Sequence, residues 1–104
     1  MEEKSLQNTD ANGAKKNVKD IVFWGDGDTF KLISKASSNA EGWMKSTKAM
    51  QAGRNVVVQV TTQQRNPNGS YAVAEALTTV PNAEIVDVIE NEIVVARHIQ
   101  YKLF

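Results

Sequence analysis

The hydrophobic and polar positions of the chain fall into short alternating runs separated by turn residues. Residues 18–24, VKDIVFW, are aromatic and β-branched and end at a glycine, which predicts a strand. Residues 29–35, TFKLISK, predict a second one. Phe30 and Leu32 point one way, and Lys31 and Lys35 point the other way with Ile33. Between the two runs stand Gly25, Asp26, Gly27 and Asp28. Glycine and aspartate tolerate the positive φ of hairpin turns, so VFWGDGDTFKLI predicts strand, turn and strand.

A helix is predicted next. Ser38-Asn39-Ala40-Glu41 matches the S-x-x-E capping box, in which the serine hydroxyl accepts from the glutamate amide and the glutamate reaches back. Trp43, Met44, Thr47 and Met50 then share one stripe, away from Lys45 and Lys48. Gly53 stands where a left-handed glycine closes a helix. Gly42 weakens that helix by about 1 kcal/mol relative to alanine, which limits it to roughly 12 residues.

From residue 55 the period returns to two. Val56, Val58, Val60 and Thr62 share one face, against Val57, Gln59, Thr61 and Gln63. RNPNGS is a loop, because Pro67 fixes φ and Asn68-Gly69 is a turn pair. YAVAEALTTV sets Tyr71, Val73 and Leu77 against Ala72, Ala74 and Ala76, with Glu75 interrupting the first row. After Pro81-Asn82 come AEIVDVIE and EIVVARHIQYKL, joined near Glu90-Asn91-Glu92, with Arg97 interrupting the apolar row of the last run.

The predicted order is β-β-α-β-β-β-β. Its short links force antiparallel neighbours, since a parallel crossover needs a dozen or more residues. The expected fold is therefore α+β: an antiparallel sheet of about five to six strands with one helix packed on one face. The alanine row at 72, 74 and 76 would let a helix carrying Trp43 approach closely. A partly closed barrel is the alternative. Residues 1–17 bury too little apolar surface to offset their ordering and are read as a disordered polar tail. Residues 18–104 form the single domain that a chain of 104 residues allows.

Composition narrows the chemistry. The chain has no cysteine, which excludes disulfides, thiolate metal sites and a cysteine nucleophile. No apolar run reaches the roughly 18 residues of a membrane span, and the N-terminus lacks the apolar stretch of a signal peptide. A cytoplasmic location without membrane partners is expected. The net charge is zero, but residues 29–65 carry six basic side chains against Glu41 alone, while residues 71–92 hold five acids and no base. Opposite charges facing one another across neighbouring strands would reconcile the two blocks.

Candidate sites follow. Asp26 and Asp28 could hold a hard cation, but Ca²⁺ wants six to eight oxygens and no third acid is near. A phosphate loop would lead into a helix with a lysine, and this one leads into a strand. His98 is the only histidine and cannot build a multi-histidine metal site. Glu84, Asp87, Glu90 and Glu92 sit about a hairpin tip, where solvation opposes the split pKa values that acid–base work needs. Neither a cofactor nor a catalytic residue is assigned. Trp24, Phe30, Trp43 and Tyr71, with Lys31, Lys35, Lys45, Lys48, Arg54 and Arg65, could stack and neutralise single-stranded nucleic acid, although the aromatic string of an RNA-recognition motif is absent.

The run EGWMKSTKAM, followed by VVVQVTTQQRNPNGSYAVAEALTTVP, resembles the small uncharacterised proteins of tailed bacteriophages and prophages over roughly residues 41–81. The resemblance implies a short, cysteine-poor, single-domain protein that binds a host or phage protein in the host cytoplasm. The expected function is thus a non-enzymatic binding module that docks on a protein partner or self-associates through an edge strand. Trp24, Asp26, Asp28, Lys45, Lys48, Arg54 and Arg65 are its candidate contact residues. A single-stranded nucleic-acid-binding protein is the second reading. A metal-dependent enzyme relying on Asp26 and Asp28 is the third.

Overall fold

The computed structural model describes residues 10–102. It contains one short helix, α1 (Ala11–Asn17), and six strands: β1 (Lys31–Ser38), β2 (Trp43–Ala52), β3 (Asn55–Arg65), β4 (Tyr71–Val80), β5 (Ala83–Glu90) and β6 (Ile93–Tyr101). The strands form an antiparallel four-stranded sheet in the order β1-β2-β3-β4 and a separate two-stranded hairpin, β5-β6. The protein is therefore mostly β. The expected single sheet with a packed helix is corrected in two respects: the sheet is divided four plus two, and no helix lies on it. The disordered-tail reading falls partly on residues 1–9, outside the described residues, while Ala11–Asn17 form α1.

The predicted helix is strand β2, paired with β1 on one side and β3 on the other. Each helix signal has a β counterpart. Ser38 Oγ does accept from the Glu41 amide at 3.1 Å, as in a capping box. The bond instead closes a turn, in which the Gly42 amide also donates to the Ser38 carbonyl at 2.7 Å. Gly42 then reverses the chain at φ +75°, outside helical space. Gly53 does adopt a left-handed φ, +63°, but as the first residue of the two-residue Gly53-Arg54 turn from β2 to β3. WMKSTKAMQA has helix-favouring composition, and two flanking ladders override that weak preference.

The expected strand at 18–24 is also absent. Val22 and Trp24 are almost wholly exposed, and β1 begins only at Lys31. The edge of β1 that such a strand would pair with faces the β5-β6 hairpin, whose Arg97 donates to the Leu32 carbonyl at 2.6 Å.

Register fixes the faces of the large sheet. Val60 lies between Thr47 and Ala76, and Val58 between Ala49 and Thr78. Val56, Val58, Val60 and Thr62 therefore share a face, as expected, with the alanine row of β4. The hairpin crosses this face at the Gly53 end, with β5 against β2 and β3 and β6 against β1. There Ala49, Val56 and Ala83 are fully buried, with Ile33, Val58, Val80, Ile85 and Ile99 packed around them.

The hairpin is held at its base by polar bonds. The Ala83 amide donates to the Arg54 carbonyl at 3.0 Å. Gln51 acts like a peptide group between the sheets: its Nε2 donates to the Ala83 carbonyl at 3.0 Å and its Oε1 accepts from the Ile85 amide at 3.2 Å. Asn82 takes φ +50° at the corner, a conformation asparagine tolerates better than most residues. At the hairpin tip Asn91 and Glu92 both have positive φ, as a two-residue type I′ turn requires.

The result is long and thin, 52 × 28 × 26 Å, with a radius of gyration of 15.5 Å. A compact domain of about 100 residues has roughly 13 Å.

Candidate functional site

The described residues form an open cleft of about 460 Å³. It lies between the Gly25–Asp28 loop, the start of α1, the start of β1 and the β6 segment 94–97. Its size is within the range of small-ligand pockets. Phe30, Ile33 and Val94 give it an apolar wall, and Asp26, Lys31 and Arg97 give it a polar rim.

The polar groups are already engaged. Asp26 Oδ1 accepts from the Asp28 amide at 3.0 Å, folding the loop on itself, and its other oxygen pairs with the Lys31 ammonium. The same ammonium donates to the Asp28 carbonyl at 2.6 Å. The Asp28 carboxylate accepts from the Ala11 amide at 2.7 Å and so anchors the first turn of α1. Gly27, at φ +83°, lies so close to α1 that a Cβ there would stand 2.8 Å from the Ala11 Cβ and 2.9 Å from the Phe23 ring. The DGD segment is thus a bend, as its composition suggested, but it clasps a helix rather than joining two paired strands. Its pairing with Lys31 holds the Asp26 carboxyl below the usual aspartate range, with the Asp28 amide adding to the effect. Among the described residues no group of three or more His, Asp or Glu side chains is placed to hold a metal ion.

The candidate contact residues do not converge. Asp26 and Asp28 line the cleft, and Trp24 is 97% exposed in the loop before them. Lys45 lies on β2 with its ammonium 5.9 Å from the centre of the Trp43 ring. Lys48 is in register with Leu32 and Gln59, on the opposite face from Lys45. Arg54 is in the turn at one end of the sheet. Arg65 is at the other end, donating to the Asn39 and Ala40 carbonyls at 3.1 and 3.4 Å. Burial, with help from Lys48, pushes the Lys35 ammonium below the ordinary lysine range. Asp87 and Arg97 form a cross-strand ion pair at 2.7 Å.

Two contributors escaped the sequence. Arg97 reads only as a break in an apolar row, yet it joins the hairpin to β1 while pairing with Asp87. Gln51 carries no local signal at all. His98 is exposed in register with Val86, and its Nε2 lies 3.4 Å from Gln100 Oε1. A bulge between Val88 and Ile89 separates it from the face of Val94 that alternation implied.

The larger surface feature is apolar. On the hairpin Ile89 and Ile93 are 62% and 64% exposed, and Val94 and Val95 are exposed beside them. On β4 Val73 is 56% and Leu77 64% exposed. Among the described residues nothing pairs with the outer edge of β4.

The family model described as the Lockin family matches residues 1–97, and the chain belongs to that family. No curated protein and no solved structure matches it. Among the described residues no helix is long and apolar enough to cross a membrane.

Proposed function

We propose that this Lockin-family chain is a small non-enzymatic binding module that docks on a protein partner or on a second copy through exposed strands. The observation that carries this reading is the mismatch between its apolar surface and its core. Three apolar residues are fully buried among those described, while the hairpin and β4 expose Val, Ile and Leu side chains in groups. The accessible surface is 7770 Å². A compact monomer of this mass exposes roughly 5,800 Å². Grouped exposed apolar side chains of this kind mark interaction surfaces. The carboxylates of the cleft are committed to the loop, to Lys31 and to α1, which favours a structural role for them over catalysis. The resemblance of residues 41–81 to phage proteins adds a phage or prophage origin and action in the host cytoplasm to the proposal.

The test compares the tagged chain with its Ile93→Asp variant in host lysate, washed at low and high salt. Retention of one protein at high salt by the parent, and its loss from the variant, is the expected result. Nucleic acid that leaves at high salt would move the assignment to single-stranded nucleic-acid binding. An empty eluate, with a chain that also sediments as a monomer, would overturn the reading.

A further inference from the structure

The four-stranded sheet has two edges, and they are treated differently. The β1 edge carries three protections. A bulge between Leu32 and Ser34 breaks its register, Arg97 occupies the Leu32 carbonyl, and β6 lies alongside. Natural sheets use such devices to block pairing with another chain. Among the described residues the β4 edge has none. Tyr71–Val80 pairs with β3 from Arg65 to Val56 without a break, contains no proline or lysine, and holds one charge, Glu75. Only the two end residues of β4 are even half-buried.

We infer that β4 is the seat of a second copy of this chain: two β4 edges pair antiparallel about a two-fold axis through Ala76, giving one continuous eight-stranded sheet. This rests on the binding-module reading and names its partner and surface.

The register follows from elementary constraints. A two-fold axis normal to the sheet keeps each side chain on its own face, so the axis must pass through a residue rather than between two. An axis at Glu75 would set two carboxylates directly opposite, which is unfavourable. An axis at Ala74 would engage only residues 71–77. An axis at Ala76 engages residues 72–80 of each copy. Ala76 then faces Ala76, Glu75 faces Leu77, Ala74 faces Thr78, Val73 faces Thr79 and Ala72 faces Val80. The small row lets the sheet continue without obstruction on one face, and Val73 and Leu77 gain neighbours on the other. Glu75 already accepts from Thr61 Oγ1 at 3.3 Å, which ties it to its own sheet. The single chain exposes roughly 2,000 Å² more than a compact monomer of its mass, more than the about 800 Å² that each partner contributes to a standard interface.

The natural absence of cysteine makes the register directly readable. Cα atoms of residues directly opposite in an antiparallel pair are about 4.5 or 5.5 Å apart, within disulfide reach. The experiment is sedimentation of the unmodified chain across concentration, with mild oxidation of single-cysteine variants. The expected mass is twice 11.5 kDa. Ala76→Cys should cross-link alone. Val73→Cys should not cross-link alone but should do so when mixed with Thr79→Cys. Ala76→Lys, which sets two ammonium groups on the axis, should raise the dimer dissociation constant at least tenfold with an unchanged far-ultraviolet spectrum. Amide exchange of the unmodified chain should show concentration-dependent protection along β4. A monomer at every concentration overturns the inference, and the lysate experiment then judges the binding-module reading separately. A dimer in which Ala76→Cys stays uncrosslinked, or Val73→Cys cross-links alone, also overturns it.

Discussion

Replacing Gly42 by alanine tests how the β1-β2 turn is built. Gly42 sits at φ +75°, and its carbonyl accepts from the Arg65 amide at 2.6 Å, binding the turn to the end of β3. An alanine there meets two costs. The left-handed backbone costs about 1–2 kcal/mol for a residue with a Cβ. The new Cβ would also stand 2.8 Å from Arg65 Cβ and 2.9 Å from its Nε. The guanidinium can move aside, but Arg65 Cβ is fixed by a strand backbone, so overpacking adds about 1–3 kcal/mol. The expected total is roughly 2–5 kcal/mol. Gly53 supplies the internal comparison: it has φ +63° and open space around its missing Cβ. Gly53→Ala should therefore cost only the backbone part, about 1–2 kcal/mol. Urea unfolding at one fixed chain concentration measures both, because self-association would make the midpoint depend on concentration. Equal losses for the two variants, or a neutral Gly42→Ala, would refute the steric argument.

Gln51→Ala removes both side-chain bonds that hold β5 to the sheet and should destabilise by about 1–3 kcal/mol. Faster amide exchange at Ile85 and Ala83 than at Val58 would locate the loss at the hairpin base. The Asp26 carboxyl is held below its ordinary value of 3.8, so its pairing stabilises the fold above that pH and the contribution fades as pH falls through the lower folded value. Asp26→Asn should flatten this acid limb, as followed by the Asp28 amide resonance, whose proton the Asp26 carboxylate accepts, through an acid titration. Lys35 is shifted the opposite way in terms of stability: its lowered folded pKa opposes folding at neutral pH, and the penalty lifts as pH rises towards 10.5. Lys48→Gln should raise the Lys35 Nζ titration and stabilise by a few tenths of a kcal/mol, about the scale of screened surface charges. A lowered titration in that variant would contradict the assigned cause.

The later strands were legible because their signals agree at every level. NVVVQVTTQ alternates, is β-branched and is flanked by turn residues, and β3, β4, β5 and β6 lie where those patterns place them. The two misreadings have one physical source. A serine hydroxyl three residues before an amide, and a glycine at positive φ, serve a helix end and a hairpin turn equally well. At Ser38, Gly42 and Gly53 the local geometry was foreseen, while the element it belonged to depended on ladders formed with distant residues. Likewise Gly25 and Gly27 have the positive φ expected of them, but whether VKDIVFW becomes a strand depends on a free edge, and β1 has none to offer it. The candidate site was less legible still. Asp26 and Asp28 were singled out correctly as a bend, yet Gln51 and Arg97 act across 34 and 65 residues, where no local pattern reports.

The distribution of protection over the molecule bears on the proposed assembly. Ladder bonds rather than burial hold the four-stranded sheet, since most β4 side chains remain exposed and the small core sits at one end. A sheet built this way gains little from closing on itself and much from adding strands, because each new strand satisfies a row of backbone groups without needing a new core. Among the described residues only one of its two edges is open to such addition. The bulge, Arg97 and the hairpin together close β1, and the same hairpin carries the other exposed apolar group at its tip. On the proposed reading the two surfaces divide the work: β4 joins copies, and the hairpin tips, displaced towards the β1 side and left free by that pairing, meet the protein partner. Ile93→Asp should then abolish partner capture while leaving the sedimentation mass at twice that of the chain, and Ala76→Lys should do the reverse apart from lost avidity. If either substitution removes both properties in a folded chain, the surfaces are not separate and this division is wrong.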